Sequence, residues 1–225
     1  MHIKKTFKKV SHRLLKPVMD RYLASERDYQ FDDIRITVRP GVFHPGFFFS
    51  TRILLFFLSK VDLNGKRMLE LGAGSGLLSV YAAKRGAQVT STDISKTAVE
   101  GLVRNGWQNK VELTVCESDL FNELPPQTFD IIVINPPFYP ENPQKESQYA
   151  WFCGKGHIYF RRLFPEMLAF LNSESQIYMI LSEDCDIVEI KRLARSHGYS
   201  MELSFTSKNW WESNFIFNIR RYQIA

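Results

Sequence analysis

From Lys66 onward, the sequence alternates between short β-branched apolar runs and amphipathic helical patterns. Such alternation indicates a parallel, doubly wound α/β sheet with helices on both faces. The predicted strands are "KRMLELGAG", "AQVTSTDIS", "VELTVCESD", "FDIIVINPP" and "SQIYMILSE". The predicted helices are "GLLSVYAAKRG", closed by Gly86, "KTAVEGLVRNGW", "HIYFRRLFPEMLAFLN" and "DIVEIKRLARSHG".

The last two predicted strands, "YSMELSFTSK" and "NFIFNIRRYQ", have no helix between them. They must therefore pair as a hairpin, which places one antiparallel strand in an otherwise parallel sheet of seven strands. Few nucleotide-binding folds end on a β-hairpin, so this order is itself informative.

Two elements are predicted upstream of Lys66. "DIRITVRPGVF" alternates enough for a strand or hairpin arm, and "STRILLFFLSKVDL" predicts a helix capped by Ser50 or Thr51. We expect a basic N-terminal extension at residues 1–34 and one α/β domain at residues 35–225.

Charge is concentrated at the N-terminus. The first 39 residues hold ten Lys/Arg and five Asp/Glu, and so carry the entire net charge of +5. Such a leader can attract phosphate backbones, although a solvated amphipathic helix fits the same residues.

Other bulk features exclude several classes of protein. No apolar run approaches the ~20 residues that span a bilayer. We expect no secretory signal, because neither an uninterrupted apolar stretch nor a small-residue cleavage site follows the basic start. Three separated cysteines and five scattered histidines indicate neither a disulfide framework nor a metal site. We expect a cytoplasmic protein without a metal or membrane partner.

A glycine-rich turn follows the first strand of the alternating region. In "LELGAGSGLLS", Gly72, Gly74 and Gly76 allow a sharp turn and close approach to a ligand. The spacing lacks the last glycine of a dinucleotide fingerprint and the Lys-Ser/Thr of a P-loop. Glu70 would repel pyrophosphate and favour a ligand that bears an amino group. A dehydrogenase is disfavoured by the G-x-G-x-G spacing of the turn and by the "NPPF" that ends the fourth strand. A tight turn without a ligand is the alternative.

Acidic residues end the next two strands. Asp93 lies 21 residues beyond Gly72 and is placed to accept both hydroxyls of a ribose; the alternative is a helix N-cap, a role that Ser95 can fill. Asp119 ends the following strand, where its carboxylate can accept from an adenine amino group opposite the Leu120 amide. Capping is again the alternative.

The fourth strand ends in "NPPFYP". Pro136 and Pro137 stiffen the loop because each fixes φ and lacks an N–H. The Asn135 side-chain oxygen and the Pro136 carbonyl can together accept both hydrogens of a planar –NH₂. Phe138, or Tyr139, would stack on that group. A plain strand stop with a core aromatic residue is the alternative.

Together, "LELGAGSG", "TDIS", "ESDLF" and "NPPFYP" resemble a Rossmann-like class I S-adenosylmethionine-dependent methyltransferase. The resemblance covers residues 35–225 and is greatest to the HemK-like glutamine methyltransferases, which modify a Gly-Gly-Gln loop of translation release factors. Their cofactor lid is similar to "VFHP…STRILLFFL", which holds His44 and Thr51. The resemblance implies an acceptor clamp made by Asn135, Pro136, Pro137 and Phe138. The implied cofactor contacts come from Thr51, Glu70, Gly72, Ala73, Gly74, Gly76, Asp93, Ile94, Asp119, Leu120 and Asn135.

The acceptor is left open by the sequence. A protein glutamine, of a translation factor or ribosomal protein, is favoured because "YAWFCGKGHIYFRRLFPEMLAFLNSESQIYMIL" resembles the region that follows the NPPY motif of the HemK-like enzymes. An RNA or DNA exocyclic amine is the alternative, because NPPF is similar to ribosomal-RNA guanine-N2 enzymes and the leader is basic. A non-catalytic RNA- or protein-binding module is disfavoured by the intact motifs.

Overall fold

A computed structural model describes residues 24–47, 49–209 and 212–222. Both interpretations of the basic leader concern mainly residues 1–23, which lie outside the described part. The strands are β1 (Arg27–Phe31), β2 (Ile34–Val38), β3 (Arg67–Leu71), β4 (Gln88–Asp93), β5 (Leu113–Glu117), β6 (Phe129–Ile134), β7 (Leu171–Ser182), β8 (Tyr199–Lys208) and β9 (Ser213–Arg221). The α-helices are α1 (Phe49–Leu58), α2 (Leu77–Lys84), α3 (Lys96–Gln108), α4 (Ile158–Met167) and α5 (Ile187–Ser196).

The main sheet has seven strands in the order β5-β4-β3-β6-β7-β9-β8. Neighbours from β5 to β7 pair in parallel, whereas β9 pairs antiparallel with both β7 and β8. The predicted doubly wound sheet and its terminal hairpin are thus confirmed. The order reverses beside β3, so the carboxyl ends of β3, β4 and β6 meet at the crevice where open α/β sheets bind ligands.

Each face of the sheet is covered by its own apolar core. Leu69 and Ile132 face a cluster that includes Phe160 and Leu163 of α4. Alternate residues on the same strands face the cluster that contains α1, α2 and the hairpin β1–β2. Strands buried on both faces must be apolar almost throughout, which is why "FDIIVI" shows no polar alternation.

The hairpin β1–β2 is joined to α3 and to the glycine-rich turn by a buried asparagine. Asn105 of α3 accepts from the Thr37 amide at 2.9 Å and donates to the Thr37 carbonyl at 3.1 Å. Its Nδ2 also donates to the Ser75 carbonyl at 3.0 Å. One side chain therefore joins β2, α3 and the glycine-rich turn.

Three boundaries differ from the sequence predictions. Helix α1 begins at Phe49, so Ser50 and Thr51 lie inside its first turn and do not cap it. Helix α4 ends at Met167 and a 3₁₀ turn follows it, whereas the predicted helix extended to Asn172. Pro165, near the end of α4, removes a backbone donor from the helix. The domain boundary at residue 34 stays a prediction, although β1 lies before it and pairs with β2.

Candidate active site

A cavity of about 490 Å³ opens at the carboxyl ends of the central strands. Its wall brings together residues from all four sequence motifs and from the start of α1. The predicted residues that line it are Thr51, Glu70, Gly72, Ala73, Gly74, Asp93, Ile94, Asp119, Leu120, Asn135, Pro136, Pro137 and Phe138. Gly76, also predicted to contact the cofactor, does not line this cavity.

The three glycines of the turn have different structural roles. All have positive φ, between 53° and 75°, a region that favours glycine. A Cβ on Gly72 would meet no atom within 4 Å, whereas a Cβ on Gly76 would lie 2.4 Å from Leu102 Cδ2. Gly72 therefore keeps the turn open, and Gly76 permits α3 to pack closely against the start of α2.

Asp93 ties the glycine-rich turn to the end of β4. Its Oδ2 accepts from the Gly74 amide at 2.8 Å, and its Oδ1 accepts from the Ser95 amide at 2.9 Å. The helix N-cap is Ser95, whose Oγ accepts from the Ala98 amide. Burial raises the pKa of the Asp93 carboxyl, and the nearby Glu146 carboxylate raises it further. Each carboxylate oxygen retains a lone pair for a hydroxyl donor.

Glu70 lies on the cavity floor beneath the turn. Its carboxylate accepts from Ser79 Oγ, which lies 2.7 Å from Ser91 Oγ. Burial raises the pKa of Glu70 from 4.5 to about 8, partly offset by the hydrogen bond from Ser79. A cationic amino group entering the cavity would favour the ionised carboxylate.

Asp119 and Leu120 form the wall beyond β5. Leu120 has φ +57°, an uncommon conformation for a non-glycine residue and one that clusters at functional sites. Ser118 supports it, because its Oγ donates to the Leu120 carbonyl at 2.9 Å. Asp119 Oδ2 accepts from Arg162 Nη1 at 2.6 Å.

The Asn135-Pro136-Pro137-Phe138 loop is held by the segment that follows it. The Phe138 and Tyr139 amides both donate to the Trp151 carbonyl, at 3.0 and 2.8 Å, and the Cys153 amide donates to the Tyr139 carbonyl at 2.8 Å. Phe138 is half-buried and lines the cavity, whereas Tyr139 does not. Of the two aromatic residues considered, Phe138 therefore has the position to cover an acceptor.

Asn135 also reaches the first turn of α1. Its Nδ2 donates to Ser50 Oγ at 3.2 Å. Its Oδ1 is buried and has no hydrogen-bond partner within the described chain. An unpaired buried carbonyl costs free energy, and a donor on a bound molecule would remove that cost.

His44 and Thr51, both on the predicted lid, differ in position. Thr51 lines the cavity. His44 is buried, packs against the rings of Tyr29 and Phe47, and accepts from the Gly46 amide at 3.1 Å. His44 is therefore part of the lid's internal packing.

The sequence reasoning missed many of the residues that line the cavity, among them Phe43, Glu146, Tyr159 and Arg162. Burial raises the pKa of the Tyr159 phenol, and Asp93 and Asp119 raise it further, so the hydroxyl stays a donor. Glu146 closes the rim by accepting from Ser95 Oγ at 2.6 Å. In "IYFRR", Tyr159 and Arg162 are three residues apart, so on a helix they lie on the same face. This spacing is the one signal in the sequence that could have linked the two side chains to a common site.

The described residues include neither a membrane-spanning helix nor a metal-binding cluster. No helix among them has the length and apolar character to span a bilayer. Within the same ranges, no group of His, Cys, Asp or Glu is arranged to hold a metal ion.

The sheet order, the terminal hairpin and the position of the cavity define a Rossmann-like methyltransferase. Residues 33–187 match the family model of the methyltransferase small domain, so the chain belongs to that family. It is a transferase, and S-adenosylmethionine is its cofactor.

Two curated relatives of this chain carry different names. A Methanocaldococcus jannaschii protein, provisionally named a protein N5-glutamine methyltransferase, is 27% identical over 198 residues, covering 85% of this chain and 98% of the relative. The Thermotoga petrophila ribosomal protein L11 methyltransferase is 40% identical over 113 residues, covering 49% of this chain and 42% of the relative. Thus the chain matches less than half the length of the second relative.

Solved structures agree on the fold. A Pyrococcus furiosus methyltransferase superposes with a TM-score of 0.64 at 20% identity, over 92% of this chain and 98% of that one. The Thermus thermophilus 16S rRNA N2 G1207 methyltransferase, in complex with AdoMet and guanosine, gives 0.62 at 20% identity, over 87% of this chain and 50% of that one.

The cavity of this chain fits the cofactor. The open space at Gly72 leaves room beside the turn, Asp93 offers lone pairs at the end of β4, and Glu70 is a buried carboxylate that an amino group would ionise. When bound, S-adenosylmethionine supplies an electrophilic sulfonium methyl group.

Proposed function

We propose that this protein methylates a planar amide nitrogen, with a protein glutamine side chain as the acceptor and the Asn135-Pro136-Pro137-Phe138 loop as its clamp. The observation that carries the proposal is Asn135, whose Oδ1 is buried without a partner in the described residues while Nδ2 is held by Ser50. An acceptor N–H donates to Oδ1, and the second N–H donates to the Pro136 carbonyl.

The clamp addresses the main chemical difficulty of the reaction. An amide nitrogen is a poor nucleophile because its lone pair is delocalised into the carbonyl group. Two acceptors fixed by the rigid Pro-Pro turn favour pyramidalisation of the nitrogen and localise the lone pair. Phe138 covers the plane of the amide and excludes water. Positioning and desolvation supply most of the rate, and no side chain removes a proton before attack.

We further propose the division of the cavity among cofactor groups. Asp93, beside Ile94, accepts from the ribose hydroxyls, and Asp119 with the Leu120 amide binds the adenine edge. The Gly72 carbonyl and Glu70 hold the methionine amino group. Ala73, Gly74 and Thr51 complete the wall around it.

A protein acceptor is supported by the Methanocaldococcus jannaschii relative, which this chain matches over 98% of its length. The HemK-like resemblance points to a Gly-Gly-Gln loop, and cytoplasmic localisation is proposed on the same basis. A nucleic-acid amine is the second candidate. Phe138 in place of tyrosine favours it, as does the structural likeness to the guanosine-bound Thermus thermophilus enzyme.

One labelling experiment separates the two acceptors. The full chain is incubated with tritiated S-adenosylmethionine and extract of the organism that encodes it, and the product is split between protease and nuclease. We expect protease-sensitive label, with N5-methylglutamine found by mass spectrometry after digestion, and none with Asn135→Ala. Nuclease-sensitive label would replace the glutamine proposal by the nucleic-acid one.

A further inference from the structure

Arg162 lies on α4, outside the four motifs at the ends of the strands, yet it lines the cavity. Nη1 donates to Asp119 Oδ2 at 2.6 Å, and Nε donates to Glu166 Oε1 at 3.0 Å. We infer that Arg162 is a positioning residue, which orients the Asp119 carboxylate toward the adenine amino group and thereby sets the enzyme's selectivity for an adenine cofactor. The inference rests on the cofactor arrangement in the proposed function.

Asp119 needs an external support to hold one orientation. It follows the end of β5 and its side chain is 46% exposed, so its own backbone leaves the carboxylate free to rotate toward solvent. The bond from Arg162 occupies Oδ2 and leaves Oδ1 available as an acceptor. A carboxylate already held in place loses less conformational entropy when it binds a ligand.

Glu166 fixes the arginine in turn. It lies one helical turn beyond Arg162 and is its i, i+4 partner on α4. The planar guanidinium can bond both carboxylates at once, whereas an ammonium group is a point charge without this geometry. Glu166 Oε2 is buried and has no partner in the described part of the chain, so Oε1 and Arg162 make the polar contact that keeps this carboxylate in place.

The predicted consequence is selectivity between an amino and a carbonyl group. An oriented carboxylate accepts from the 6-amino group of adenine and repels the 6-carbonyl group of hypoxanthine. S-adenosylhomocysteine and S-inosylhomocysteine differ in this way and carry the same ribose and amino acid. The two compounds also differ at N1, which accepts a hydrogen bond in adenine but carries a hydrogen in hypoxanthine, and which the proposed arrangement places near the Leu120 amide. Leu120 is the same in every variant, so a change in the ratio of the two dissociation constants between variants reports on Asp119.

The test is calorimetric titration of the full chain with both compounds. We expect Arg162→Gln to weaken S-adenosylhomocysteine binding about tenfold, as for a hydrogen bond to a charged group, and to leave S-inosylhomocysteine within about twofold. The selectivity ratio falls accordingly. Arg162→Lys should restore part of it, and Asp119→Asn/Arg162→Gln should match Asp119→Asn alone. Loss of stability through Glu166 would weaken both ligands alike and would not move the ratio.

Arg192→Gln is the matched control, because Arg192 also pairs with a glutamate of its own helix, at 2.6 Å, but lies outside the cavity. It should keep the native ratio. The role of Arg162 is overturned if Asp119→Asn lowers the selectivity for S-adenosylhomocysteine over S-inosylhomocysteine while Arg162→Gln leaves that selectivity at the native value. A native ratio in Asp119→Asn overturns the adenine assignment on which that role rests. Neither result bears on the acceptor, which the labelling experiment tests separately.

Discussion

Asn135 of the NPPF loop donates a 3.2 Å hydrogen bond to Ser50 Oγ in the first turn of α1, across 85 residues of sequence. This bond fixes the amide plane of Asn135 and determines where its Oδ1 lies. A residue outside the four motifs thus orients the side chain proposed to hold the acceptor.

Ser50→Ala should lower kcat about tenfold and leave the cofactor dissociation constant within about threefold, because an amide side chain free to rotate is misplaced for much of the time. Asn135→Ala should lower kcat by at least ~100-fold, with cofactor affinity again near the native value. Ser59→Ala is the control, since Ser59 bonds the Phe56 carbonyl at the other end of α1. Loss of cofactor binding in Asn135→Ala would refute the clamp.

Asp93→Ala should weaken S-adenosylhomocysteine binding at least ~30-fold by calorimetry, because a buried carboxylate that accepts from a ribose is a charge-assisted contact. The melting temperature should fall as well, since Gly74 and Ser95 lose their acceptor. Asp33→Ala removes an exposed carboxylate paired with Lys84 and should change neither quantity appreciably. An unchanged dissociation constant in Asp93→Ala would disprove the ribose contact.

Gly72→Ala should mainly weaken cofactor binding, whereas Gly76→Ala should mainly lower the free energy of unfolding. A Cβ at Gly76 collides with buried Leu102, so we expect a loss of about 2–3 kcal/mol in the free energy of unfolding. A Cβ at Gly72 enters open space, so only the cost of its positive φ, roughly 1–2 kcal/mol, applies. Gly72→Ala should instead weaken cofactor binding about tenfold or more. Urea unfolding and calorimetry on both variants check this, and equal stability losses would contradict it.

Glu70 should make the apo-protein less stable as pH rises. Its pKa is about 8 when folded against 4.5 ordinarily, so between these values the folded state holds a proton that the unfolded state releases. The free energy of unfolding therefore falls as pH rises from 4.5 to 8, by a few kcal/mol, about the order implied by linkage.

Glu70→Gln cannot ionise, so its stability relative to the native protein should increase over that range. Urea unfolding at pH 5, 7 and 9 measures the difference between the two proteins. A difference that stays constant with pH would show that Glu70 is not buried in its protonated form.

Most of the site could be predicted because its residues lie at the carboxyl ends of parallel strands. Asp93, Asp119 and Asn135 each follow a recognisable strand, and strand polarity alone brings them to one edge of the sheet. The role of Gly76 was less predictable, since its glycine requirement comes from Leu102 on a different helix. Capping by Ser50 or Thr51 was mispredicted because Phe49, just before them, already lies in the helix.

The sequence by itself determined the α/β alternation, the terminal hairpin and the order of the chemical groups along one edge, because these follow from hydrophobic periodicity and local backbone preferences. The tertiary structure decided which distant side chains support those groups: Ser50 for Asn135, Arg162 for Asp119 and Glu146 for Ser95. Such pairs join surfaces of separate elements, and their distances depend on how the helices pack, which no local pattern of residues encodes.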